Sequence, residues 1–211
     1  MAPAGAGGEV EAHTPERRLP PASSPFAGWG TFYQIVGSSA GALTGLQFVV
    51  VALSAQSRTL RRAEGSILAF GTPTVVHFGA ALLVAALMCA PWASLSGPAL
   101  ALTLCGAAGV GYTIVVILRA RRQNVYEPVL EDWIWHVAIP GAAYASQIAA
   151  ALALPEHPVG APFWIAGTAL LLLFAGIHNA WDAAAWIAVA GERDAGAVAP
   201  PPPPQPPAAK G

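Results

Sequence analysis

The chain has 211 residues, 55% hydrophobic and only 10% charged, with a net charge of −1. A soluble globular domain carries roughly 25% charged residues, so an ordinary water-soluble fold is excluded for most of the chain. There is no basic tract, which argues against nucleic acid as a partner.

Residues 1–25 place Glu9, Glu11, Glu16, Arg17 and Arg18 among Ala, Gly and Pro. They read as a disordered tail. They lack the apolar centre of a cleavable signal peptide, so the first apolar run is expected to direct its own insertion. Residues 26–190 hold five apolar runs, at about 29–55, 67–90, 99–118, 133–154 and 163–189. Each can cross a hydrocarbon core of about 30 Å, which takes roughly 20 helical residues. Strand-like alternation is absent. Backbone that crosses lipid must bond to itself, so the expected fold is all-α: a multi-pass transmembrane helix bundle of about five spans. Pro91, Pro98, Pro155, Pro158 and Pro162 punctuate two short loops. Residues 191–211 read as a second disordered tail, ending in a proline run at 200–207 that favours extended polyproline II.

Charge placement suggests an orientation. Arg58, Arg61 and Arg62 fall between runs one and two; Arg119, Arg121 and Arg122 fall between runs three and four. The loops at 91–98 and 155–161 hold no Lys or Arg. The positive-inside rule then puts the N-terminus outside and the C-terminus in the cytoplasm of a cell membrane. Arg17 and Arg18 run mildly against this. Phe26, Trp29, Phe32, Trp92, Phe163 and Trp164 would form an outer aromatic belt, and Tyr126, Trp133, Trp135 and Trp186 an inner one.

In the first run, Gly37, Gly41 and Gly45 are four residues apart. Such a stripe lets another helix backbone approach closely, either within one bundle or across a homo-oligomer contact through the first helix. Gln47 lies further round that face. Ile35, Leu43, Leu46, Val49 and Val50 suit the lipid bilayer on the opposite side. In the second run, His77 follows Thr72, Pro73 and Thr74, and either joins a polar site or bonds a carbonyl freed by the proline. Cys89 and Cys105 lie in apolar runs without metal-ligand spacing and read as small buried residues.

The fourth run carries Trp133, His136, Tyr144 and Gln147 on one helix face, with Pro140 between. Polar groups in lipid are costly, so this face should look inward, although His136 also suits the interface. The fifth run holds Asp182, the one charge not confined to a tail or loop, with His178 one turn before it and Asn179 alongside. A carboxylate and an imidazole one turn apart can share a proton. If the helix stops early, however, Asp182 is merely a wet interfacial charge. Counting at 1.5 Å per residue puts His77 and His178 about 15 Å from the inner ends, with Gln47 similar, Asp182 at about 12 Å and His136 at about 6 Å.

Three functions fit. An intramembrane His/Asp cluster suits proton or small-solute translocation. Single histidines from three helices could instead hold haem or a transition metal, although paired ligand motifs are missing. Short loops and a glycine stripe also suit a non-catalytic assembly or partner-binding protein. An enzyme is the least favoured class, since nucleophile, phosphate-loop and dinucleotide motifs are absent.

Overall fold

The computed structural model describes residues 26–54, 64–122 and 130–198. Among them there is no strand, and the chain forms an all-α helical bundle. A 3-10 turn, Ala27–Trp29, leads into α1 (Gly30–Ser54). Helices α2 (Glu64–Cys89) and α3 (Ser96–Arg122) follow. The fourth stretch opens as one α turn (Leu130–Trp133), passes through a π-helical segment (Ile134–Ala138), and continues as α4 (Ile139–Ala153). The last helix, α5, spans Ala161–Val198.

Four helical segments, Ala27–Ala52, Thr72–Cys89, Ser96–Arg122 and Ala161–Ala185, are long and apolar enough to cross a membrane. The π segment leaves α4 itself shorter, but the helical path from 130 to 153 is unbroken. All five expected runs are therefore helices. The largest departure is at the end of α5, which stays helical to Val198 where a disordered tail was expected from residue 191. Its final turns meet no proline before residue 200, so nothing in the sequence stops the helix at the end of the apolar run. The N-terminal tail, the loop arginines Arg58, Arg61 and Arg62, Tyr126 and the proline run lie outside the described residues.

Local chemistry ends the helices where the sequence suggests. Pro98 and Pro162 sit in the first turns of α3 and α5, where a missing N–H costs no helical bond. The Trp92 indole N–H donates to the Leu87 carbonyl at 2.6 Å, joining the Ala90 N–H on that acceptor at the end of α2.

The central helix is α5, which packs against α2, α4 and α1, while α1 pairs with α2 and α3 with α4. Trp29 meets Phe163 edge to face, centroids 4.6 Å apart, and the Tyr33 hydroxyl donates to the Pro162 carbonyl at 3.3 Å. The N-terminal ends of α1 and α5 therefore share one end of the bundle, here called the aromatic end. Phe26, expected in that belt, is instead buried in the core beneath it. Gly106 faces Ile148, Gly109 faces Tyr144 and Gly141 faces Thr113, so α3 and α4 run antiparallel.

Two apolar clusters fill the bundle. The one at the aromatic end includes Tyr33, Val36, Met88, Leu102, Leu154 and Ile165. The other, deeper, includes Ala40, Phe78, Ala81, Tyr144 and Leu172. Ile35, Leu46, Phe48, Leu100, Leu104 and Phe174 point outward, as lipid-facing side chains should.

Candidate functional site

Beyond the second apolar cluster, away from the aromatic end, the interior turns polar. Two glycines on α3 make this geometry. A Cβ at Gly106 would meet Ile148 at 2.7 Å, and one at Gly109 would run into the Tyr144 ring. Their absence lets α4 lie close and press Tyr144 fully into the bundle. There its hydroxyl shares a hydrogen bond of 3.0 Å with His77 Nδ1 on α2. His77 therefore bonds across the bundle rather than to a carbonyl freed by Pro73. Its Nε2 is buried and has no hydrogen-bond partner. The Tyr112 ring of α3 stands edge-on to the imidazole, centroids 6.4 Å apart.

Gln147, one turn along α4 from Tyr144, donates from Nε2 to the Leu102 carbonyl at 3.0 Å and leaves Oε1 buried and unpartnered. Asn179 on α5 is buried with both amide atoms unpartnered. Gly176, one turn before it, lies under the Phe78 ring, which brings this part of α5 level with His77. Gln47 of α1 is also buried. His136 is half-buried, within electrostatic reach of His77.

His178 and Asp182 form a second group, nearer the surface. His178 Nδ1 lies 3.0 Å from Asp182 Oδ2. The oxygen stands off the ring N–H direction, so the contact is one of charge rather than an aligned hydrogen bond. The Asp182 side chain is 55% exposed and that of His178 24%. Asp182 sits at the edge of the bundle, on a helix that continues well past it. From the other side, the Trp135 ring stacks on His178 with centroids 3.8 Å apart and planes 18° from parallel. Glu131 Oε1 stands 3.9 Å from His178 Nε2, its side chain 72% exposed. Trp135 and Glu131 are partners the sequence did not reveal.

Pro140 explains why Trp135 is there. It cannot donate to the carbonyl four residues back, and the ladder before it widens. The Ile139 N–H bonds to Ile134 O, five residues back, in the π pattern. Such segments re-aim side chains and recur at functional sites.

The polar residues thus divide. His77, Tyr144 and Asn179 form a buried polar group, with Gln147 one turn nearer the aromatic end against Leu102, while His178, Asp182, Glu131 and Trp135 form a rim beside it. Among the described residues no group of three or more His, Cys, Asp or Glu side chains is placed to hold a metal ion. A groove of about 580 Å³ lined by Ala150, Glu156, His157 and Trp164 lies at the aromatic end, apart from both groups.

The glycine stripe is only partly used for packing. A Cβ at Gly37 would meet Ala85 of α2 at 3.1 Å, whereas Gly41 and Gly45 have nothing within 4 Å. Steps of four residues advance about 40° on a helix of 3.6 residues per turn. The stripe therefore winds off the buried face carried by Tyr33, Val36, Ala40 and Gln47.

Fold and layer together define a multi-pass α-helical membrane protein with a polar interior in one half of its bundle. Compared with family models, curated proteins and solved structures, the chain matches none.

Proposed function

We propose that this protein handles protons, or a small solute that carries one, across the cell membrane. In this reading the polar half faces the cytoplasm, with the N-terminus outside. The rim of Glu131, Asp182 and His178 exchanges protons with cytoplasmic water, and the layer around His77 carries them into the bundle.

The observation that carries the reading is His77. It is buried, held by Tyr144 through one ring nitrogen, with the other nitrogen unpartnered. An imidazole so placed can accept a proton at one nitrogen and release one at the other. A buried polar group without a partner costs about 1–3 kcal/mol. Asn179, one turn past the Gly176 that lies beneath Phe78, is likewise buried with both amide atoms unpartnered, a side chain that packing alone would replace with an apolar one. Intramembrane ionisable residues that face a bundle interior mark proton and ion pathways. A metal held by three side chains has less support, since the described residues offer no such ligand group.

The test is decay of an imposed pH gradient in proteoliposomes. Decay faster than in protein-free vesicles, and slowed by Asp182→Asn, supports the proposal. Decay no faster than in empty vesicles removes it and leaves membrane assembly as the account of the fold.

A further inference from the structure

We infer that the lead-in to α4 and helix α5 are joined by a proton-operated latch, in which Trp135, Asp182 and Glu131 hold the protonated form of His178. The inference rests on the contacts around His178 and does not require protons to cross the membrane.

The partners match an imidazolium better than an imidazole. Both ring nitrogens face a carboxylate: Nδ1 faces Asp182 at 3.0 Å and Nε2 faces Glu131 at 3.9 Å. A neutral imidazole carries no charge to set against two carboxylates; the imidazolium is attracted by both. The stack on Trp135 points the same way. A cation over an indole face is attracted by the ring quadrupole, an interaction the neutral ring lacks.

The contacts come from both sides of one seam. Asp182 belongs to α5, like His178, while Glu131 and Trp135 belong to the lead-in, whose other titratable residues are Asp132, its side chain outside the description, and His136. Protonation therefore draws the lead-in onto α5. Deprotonation removes the positive charge from the stack and from between the two carboxylates, so the seam loosens. The moving part includes the π segment, where the helical ladder departs from the α pattern. Both carboxylates are more than half exposed, so solvent can deliver the proton.

The experiment is tryptophan emission of the full chain in detergent, titrated over about pH 5 to 8, where histidine changes charge. An imidazolium in contact quenches indole emission. We expect emission to fall on acidification by at most one tryptophan's share of the seven present. The fall should vanish in both Trp135→Phe and His178→Gln. Hydrogen exchange supplies a second reading: at the acid end, amides of residues 134–138 should be better protected in the wild type than in His178→Gln at the same pH. A fall that persists in Trp135→Phe, no fall at all, or equal protection in the two proteins would each overturn the latch. A latch without proton flux in vesicles would leave this inference standing and remove the proposed function.

Discussion

At the level of single residues, the inward-facing polar groups could be read from the sequence, but their partners could not. Helical spacing placed Tyr144 and Gln147 on one face, and both are buried. That Tyr144 meets His77 depends on which helices are neighbours, and no local pattern encodes this. The same holds for the glycines. The regular Gly37, Gly41, Gly45 repeat drew notice, yet Gly106, Gly109 and Gly176 set the closest approaches to Ile148, Tyr144 and Phe78. Two contrasts test this. Gly109→Val should destabilise the protein by about 1–3 kcal/mol through overpacking against Tyr144, read as reduced resistance to denaturant in detergent. Gly41→Ala and Gly45→Ala, with open space at each Cβ, should be tolerated and stabilise the helix by up to about 1 kcal/mol. Loss of an oligomer in either variant would instead show the stripe at work between copies. Tyr144→Phe removes the bond to His77 at a cost of about 0.6 kcal/mol, typical of such bonds in membranes; unchanged stability would argue that the bond adds nothing.

Helix positions were legible because lipid leaves a buried backbone few options. Proline placement, apolar run length and loop brevity fixed all five to within a few residues. The exceptions have physical causes. The end of α5 outruns its apolar stretch, since without a proline before residue 200 a loss of hydropathy does not by itself end a helix. Pro140 signalled a disturbance, but not that the ladder would widen to the π pattern and turn Trp135 onto His178. Glu131 looked like a loop charge until the fourth helix proved to begin at Leu130. Pro140→Ala restores the missing donor and should return 134–138 to the α pattern. We expect Trp135 to rotate off His178, abolishing the acid quench of its emission while the bundle stays folded. An unchanged quench would show that the proline does not set the frame.

For the whole molecule, the bundle is asymmetric. Its aromatic end is closed by apolar packing around Met88, Leu154 and Ile165, while its other half carries the buried polar layer and the rim. Orientation decides which compartment that rim meets. Cys89 is exposed at the end of α2, and Cys105 is half-buried in α3. A membrane-impermeant maleimide added to intact cells should label Cys89, and Cys89→Ser should lose the label. Labelling only after permeabilisation would invert the topology and place the rim outside. The central claim concerns His77, the buried imidazole with a free nitrogen, and vesicle flux tests it most directly. With equal amounts of protein reconstituted, His77→Gln should slow decay of an imposed pH gradient at least about a hundredfold, the lower end of the range for loss of a positioned proton-transfer group. Decay as fast as in the wild type would contradict the account.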